Sequence, residues 1–264
     1  TDVYRDIHRD PRARAILGRA WRIIVLQPLA RDELPRRLRS RVRVIYQSAP
    51  PPHRRRRHAG GTFDVCVIGH LRPEKDPLRA AMAVRRLPES SRIRVLHAGK
   101  AMSSGIGRRA RRETARNPRY RWLGEIRPGE ARALLARSRL MVLSSRMEGG
   151  ANVVSEALAA RVPILASRIA GSEGLLGPAY PGFFPVGATR ELAALLSRAE
   201  KDALFLAGLA RACARRAWIT SVRREKESWR RLLATLPRQP RRSTKTKTPG
   251  RRRGLLAKEA RGWA

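Results

Sequence analysis

One strand–turn–helix signature constrains this chain more than any other feature. The apolar run Leu140-Met141-Val142-Leu143 leads directly into Ser144-Ser145-Arg146-Met147-Glu148-Gly149-Gly150-Ala151-Asn152-Val153-Val154-Ser155-Glu156 and on into Ala157-Leu158-Ala159-Ala160. Four apolar residues without alternation describe a parallel strand covered on both faces. The two glycines turn the chain, and the pattern from Asn152 is helical. Such a helix start points unpaired N–H groups and the positive end of its dipole past the strand end, where an anion is favoured. Glu148 and Glu156 bracket it, roughly 12 Å apart if helical rise sets their separation. That span suits a sugar at one carboxylate, a ribose at the other and a diphosphate between them, a nucleotide-sugar site. The bland account is a Glu that merely complements the dipole after an ordinary glycine turn.

The next segment favours the ligand account. Val162-Pro163-Ile164-Leu165-Ala166 is a further strand, which makes a βαβ unit whose loop lies at the carboxyl edge of a sheet, where open α/β sheets take their ligands. The same alternation runs through the chain. Strands are expected at Phe63–Ile68, Ile93–Ala98, Tyr120–Leu123, Leu140–Leu143 and Val162–Ala166. Helices are expected at Leu78–Arg86, Ile106–Arg116, Arg127–Ser138, Asn152–Ala160, Thr189–Ala199, Asp202–Ala217 and Arg223–Leu233. The fold class is therefore α/β, a doubly wound parallel sheet.

A second candidate segment ends the first of these strands, at Gly69-His70-Leu71-Arg72-Pro73-Glu74-Lys75. Gly69 permits close approach of backbone to ligand, and Arg72 and Lys75 bring cations to the sheet edge that carries Glu148. A leaving diphosphate needs such cations, because charge develops on its bridging oxygen as the glycosidic bond breaks. The alternative is a plain surface loop.

Before this domain, residues 1–48 offer a helix at Arg12–Arg19, a strand at Ile23–Leu26, a short helix at Asp32–Leu38 and a strand at Val42–Ile45. Two strands cannot form a free-standing sheet with both faces covered, so this stretch is expected to be the remnant of an N-terminal domain whose beginning is absent. Residues 49–62, with Pro50-Pro51-Pro52 and Arg54-Arg55-Arg56-Arg57, are expected to be a linker. The main domain then runs over 63–235, and the basic tail over 236–264 is expected to be disordered.

The net charge is +38, with 59 Lys and Arg against 21 Asp and Glu. Only 7 of the 59 are Lys, and the Arg are spread along the whole chain, a pattern of composition more than of a phosphate-tracking face. A dedicated nucleic-acid binder clusters its charge and interleaves aromatics, and aromatics are 5% here. Specific nucleic-acid binding is not expected, although polyanions will be attracted at low salt. No run nears the apolar length that spans a membrane, and no leader is visible. Cys66 and Cys213 offer neither a disulfide framework nor metal-ligand spacing. A cytoplasmic location is the simplest expectation.

With these segments in view, the chain resembles the C-terminal half of family 4 glycosyltransferases of the two-Rossmann (GT-B) type. Glu148-x7-Glu156 matches that family's paired-Glu motif, and Gly69 to Lys75 falls at its phosphate loop. More narrowly it is similar to the selenosugar synthases of selenoneine biosynthesis, through Thr1–Ile7, Val44–Ser48, Gly69–Arg72, Asn117–Glu125, Ser144–Glu156 and Tyr180–Gly187. The similarity reaches from residue 1 to about 235. It implies transfer of a sugar from a UDP-sugar to selenophosphate, with a carbon–selenium bond formed at the anomeric carbon. It implies that Glu148, helped by the backbone of Gly149, Gly150, Ala151 and Asn152, meets the donor sugar as the catalytic carboxylate. Glu156 would hold the ribose. Gly69, His70, Leu71, Arg72 and Lys75 would hold the diphosphate, with no metal or other cofactor. The chain departs from the broader family in placing His70, not Arg, after Gly69, so either His70 or Arg72 completes the clamp. It also carries Gly149-Gly150-Ala151 where Gly-Phe-Gly is usual. As a fragment it is expected to bind donor yet lack turnover. Another acceptor (sugar, lipid or polysaccharide) and a non-enzymatic nucleic-acid binder are the alternatives. The sequence does not indicate the oligomeric state.

Overall fold

The computed structural model describes residues 10–51 and 61–236 of the 264. Most of the expected linker, the basic tail and the opening Thr1–Ile7 string lie outside the described residues.

The main sheet has six strands, all parallel: β3 (Phe63–Ile68), β4 (Ile93–Ala98), β5 (Tyr120–Gly124), β6 (Leu140–Leu143), β7 (Ile164–Ser167) and β8 (Phe183–Phe184). Their spatial order is β5-β4-β3-β6-β7-β8. The chain builds outward from β3 in one direction, returns, and builds outward from β6 in the other, so β3 and β6 are neighbours at the reversal. In open α/β sheets that reversal leaves a crevice beyond the strand ends, because successive connections leave on opposite faces. Every residue of β6 and β7 is buried, the mark of central parallel strands covered by helices on both sides.

The covering helices are α2 (Arg79–Val84), α3 (Ser104–Arg116), α4 (Pro128–Arg137), α5 (Asn152–Ala159), α6 (Ala170–Leu176), α7 (Thr189–Lys201), α8 (Ala203–Arg216) and α9 (Val222–Ala234). Local chemistry sets their starts. The Ser103 hydroxyl accepts from Ile106 N, Asp202 from Phe205 N and Ser221 from Arg224 N, each satisfying a donor that the first turn leaves unpaired. Pro128 occupies the first turn of α4, where a missing N–H costs nothing. The core joins Val65, Val95, Leu140, Met141, Val154, Leu158, Ile164 and Leu196, all essentially inaccessible to solvent.

Ahead of this sheet, α1 (Pro11–Arg19) precedes β1 (Ile23–Val25) and β2 (Val42–Val44), which pair in parallel over a small cluster of Ile23, Val25, Ala30, Leu34, Leu38 and Val42. The helix expected at Asp32–Leu38 does not form. Two 3-10 turns, Pro28–Arg31 and Arg36–Arg41, stand in its place. Pro35 has no N–H and pushes the residue before it out of the helical region, which splits the segment. The chain then runs against the C-terminal segment of the main domain. Ala49 N donates to Thr220 O at 3.1 Å, Ser48 N donates to the Glu225 carboxylate at 2.9 Å, and Tyr46 meets Trp218 edge-on at 5.6 Å.

Three other expectations need adjustment. The strand expected from Val162 begins at Ile164, after Pro163. The strand β8 and the helix α6 were not expected at all. The 1.5 Å helical rise does not set the Glu148–Glu156 separation, because α5 begins at Asn152 and Glu148 lies in the loop before it.

Candidate functional site

Two loops leave the sheet at the reversal point: residues 69–76 after β3 and 144–151 after β6. They are stitched together by backbone. Arg146 N donates to Glu74 O at 2.7 Å, and the Ser144 hydroxyl donates to Asp76 O at 3.0 Å. From behind, the Ser167 hydroxyl at the end of β7 donates to Ser145 O. Asp76 turns the first loop in the left-handed region, at φ 43°, and its carboxylate is held by Arg79 at 2.8 Å.

Across this junction Lys75 forms an ion pair with Glu148, and the Ser145 hydroxyl donates to the same carboxylate at 2.6 Å. Glu148 is almost fully enclosed, with 10% of its side chain exposed, and Lys75 is half-buried. Its backbone is pressed by α6, since a Cβ at Gly171 would come within 2.2 Å of Glu148 O. The two loops, the pair and the helix behind it therefore form one unit.

Beside it opens a cavity of about 660 Å³, of a size that holds a small-molecule ligand. Gly69, His70, Arg72 and Lys75 line one wall, and Ala151, Asn152, Val153 and Glu156 another. Glu125, Ile126, Pro128 and Ala131 close the far side. Ala151, the residue capping α5, supplies no side-chain hydrogen bond to its first turn, and its carbonyl takes the Val154 N–H at 2.9 Å, so it is the start of the helix at Asn152 and Val153 that faces the cavity. Glu156 projects from the second turn of α5, in loose contact with Asn152 Nδ2 at 3.4 Å. Burial raises its pKa, and the Arg132 guanidinium opposes that rise.

Gly69 is the telling residue. A Cβ there would meet no atom within 4 Å, so nothing in the fold requires a glycine; the space a side chain would fill belongs to the cavity. Gly99 is the opposite case. A Cβ there would lie 1.9 Å from the Gly69 carbonyl oxygen.

The structure thus brings Gly69, His70, Arg72, Lys75, Ala151, Asn152 and Glu156 around one cavity, with Glu148 joined to it through Lys75. It does not bring Leu71 there. Leu71 is fully buried, its N–H donates to Lys100 O and its carbonyl accepts from Met102 N, so neither its side chain nor its backbone is free for a ligand. Gly149 and Gly150 shape the turn instead of lining the cavity, and a Cβ at Gly150 would strike Leu26 at 2.5 Å. His70 accepts at Nδ1 from Lys100 N at 3.2 Å, which leaves its Nε2 as the donor edge. Arg72 lies 3.8 Å from Glu74. A larger hollow of about 790 Å³ lies across the first loop, under Asp76, Arg79 and Arg146. None of Gly69, Lys75, Glu148 and Glu156 lines it.

Sequence reasoning overlooked His97. It is buried in β4, with Nδ1 2.9 Å from the Tyr120 hydroxyl and Nε2 3.2 Å from the Gly69 carbonyl. The available signal was a polar residue inside an apolar strand, which must find partners there.

Residues 52–217, more than half of the chain, match the family described as Glycosyl transferases group 1. The chain belongs to the group 1 glycosyl transferases. Solved structures agree in fold. HepE of Anabaena, in complex with UDP and glucose, superposes with a TM-score of 0.73 at 18% identity, over 89% of this chain and 70% of that one. Sucrose-phosphate synthase of Thermosynechococcus elongatus gives 0.69 at 20%, over 87% and 63%. A point mutant of S. aureus TarM, in complex with Fondaparinux, alpha-GlcNAc-glycerol and UDP, gives 0.66 at 17%, over 84% and 46%. No curated protein matches in sequence. For a group 1 glycosyl transferase, the cavity sits where open α/β sheets hold their ligands. Among the described residues, no helix is long and apolar enough to cross a membrane, and no three His, Cys, Asp or Glu side chains are grouped to hold a metal ion.

Proposed function

We propose that this group 1 glycosyl transferase takes a UDP-sugar as donor and binds it in the cavity between Gly69 and Glu156. The observation that carries this is the open space at Gly69 opposite the uncapped start of α5, with Lys75 and Arg72 on the adjoining loop. A diphosphate lying there meets backbone donors, the helix dipole and two cations, the combination that stabilises charge on a leaving phosphate oxygen. Glu156 takes the ribose hydroxyls as hydrogen-bond acceptor. Glu148 takes the sugar hydroxyls, and donor binding draws Lys75 from Glu148 to the diphosphate. The UDP complexes of HepE support this reading.

For the acceptor we propose selenophosphate, on the sequence resemblance to selenosugar synthases. Selenium attacks the anomeric carbon, the carbon–oxygen bond to the diphosphate breaks, and its electron pair leaves on UDP. No metal is invoked, because side-chain cations and the helix start neutralise the leaving group.

Calorimetric titration with UDP and a UDP-sugar at moderate salt tests the donor, with pyrophosphate and ATP as charge controls and Glu156→Ala alongside. Uridine-selective binding lost in the variant supports it; equal binding of every polyanion, indifferent to Glu156, overturns it. UDP release that depends on selenophosphate supports the acceptor, and release with a sugar or lipid acceptor instead overturns it.

A further inference from the structure

We infer that His97 and Tyr120 are positioning residues that hold the Gly69 carbonyl, and with it the diphosphate wall of the proposed donor cavity, in its binding geometry. Neither lines the cavity. A carbonyl oxygen only accepts, so His97 Nε2 carries the proton it donates to Gly69 O at 3.2 Å. Nδ1 is then the acceptor, and the Tyr120 hydroxyl donates to it at 2.9 Å. The string runs one way, from β5 through β4 to the first residue after β3, and every atom in it has a partner.

What it holds is otherwise tied only from its flanks. The Gly69 N–H donates to Ala98 O at 2.9 Å, and beyond it Leu71 bridges to Ala101. Between these points the Gly69 carbonyl packs onto Gly99, which also lines the cavity and where a side chain would collide with it at 1.9 Å. Gly99 is held in turn, its carbonyl accepting from Trp122 Nε1 at 2.9 Å and its N–H donating to Gly124 O at 2.7 Å. Without the imidazole donor, a part-buried carbonyl loses its side-chain partner, and the peptide that follows, which presents His70 to the cavity, is held only from its flanks, by the Gly69 and Leu71 N–H groups and by the Lys100 N–H on His70 Nδ1. Burial keeps the ring neutral, with its pKa pushed down to about 4, so Nδ1 stays an acceptor for the Tyr120 hydroxyl throughout the neutral range.

This inference rests on the cavity being the donor site, and the experiment separates the two. UDP and uridine are titrated into the wild-type chain, His97→Leu, His97→Gln and Tyr120→Phe, each checked for cooperative unfolding. The expected result is that His97→Leu lowers UDP affinity about tenfold while leaving uridine within about twofold. His97→Gln, which keeps an amide donor near the Nε2 position, recovers most of the loss, and Tyr120→Phe shows a smaller loss of the same kind. Equal loss for UDP and uridine, no loss in His97→Leu, or failure of Gln to outperform Leu overturns the positioning role. If His97→Leu does not fold, Tyr120→Phe decides, and unchanged UDP affinity there overturns it. A wild-type chain that binds neither ligand overturns the donor reading itself.

Discussion

Lys75 and Glu148, 73 residues apart in the chain, neutralise each other at the junction of the two loops that follow β3 and β6. The residue proposed to take the diphosphate and the residue proposed to take the sugar are each other's partner before any ligand arrives. Donor binding is therefore an exchange of partners, and the two residues should respond differently to substitution. Lys75→Ala is expected to weaken UDP binding by about 10- to 100-fold, the worth of one or two charge-assisted hydrogen bonds. Glu148→Gln releases Lys75, and UDP should bind about two- to fivefold tighter, the scale of a partly exposed ion pair. Where the wild-type protein turns over, transfer in that variant should fall by about 100-fold. Calorimetry and a UDP-release assay on the two variants check this; tighter UDP binding by Lys75→Ala would reverse the assignment.

Glu156 trades stability for binding. Its pKa is raised, chiefly by desolvation, against which Arg132 acts. The folded state thus holds this proton more tightly than the unfolded chain does. That term favours folding at acid pH and is lost as pH rises through the folded value, so at neutral pH the ionised carboxylate is a liability to the empty protein. Glu156→Gln is expected to raise the melting temperature at about pH 7.5 and to lower UDP affinity together, as binding-site carboxylates do. A thermal melt paired with a UDP titration reads both, and a lower melting temperature would contradict the desolvation account.

Gly69 and Gly99 should part company when each is replaced by alanine. Gly69→Ala has room for its methyl group, so the melting temperature should shift by less than about 2 °C while UDP affinity drops about tenfold, the methyl now occupying ligand space. Gly99→Ala drives a methyl into the Gly69 carbonyl and should destabilise by about 3 kcal/mol or more. Denaturant unfolding distinguishes them, and comparable stability losses would show the space at Gly69 to be closed.

His97 also predicts a pH dependence. Its pKa falls from 6.5 to about 4 through desolvation, against which the hydrogen bond to Gly69 acts. Tyr120, whose own pKa burial pushes up, faces it as a neutral donor. The unfolded chain binds the proton more readily, so this term stabilises above pH 6.5 and is lost as pH falls toward 4. Between about pH 7.5 and about pH 4.5 the loss is on the order of 2–3 kcal/mol. The stability difference between wild type and His97→Gln, measured by denaturant at both pH values, should shrink by about that amount. A difference unchanged with pH would refute it.

Much of this architecture is legible in particular residues. Leu140–Leu143 and Ile164–Ser167 are central strands whose apolar character needs no periodicity to be recognised, and Glu148 and Glu156 stand out because they flank a glycine turn between them. Ala170–Leu176 escaped notice because Ala-Gly-Ser-Glu-Gly is weak helix-forming sequence. It becomes helical because Gly171 and Gly174 let it lie against Glu148 and Gln27, contacts made across long stretches of chain. Phe183–Phe184 is too short for any period to register. Leu71 was drawn into the site by its neighbours, whereas the bridge to Ala101 turns it inward. His97 serves the site from inside a strand, where only a partner 23 or 28 residues away gives it meaning.

The contacts of Leu26 and Gln27 carry a last consequence. A methyl at Gly150 would strike Leu26, and one at Gly174 would overlap the Gln27 amide. The small cluster around β1 and the large core therefore meet along a seam with no slack for even one carbon atom. Mutational drift at these four positions is locked together: neither bank can enlarge unless the other recedes, and a single misplaced methyl would act as a wedge beneath the very turn that carries Glu148.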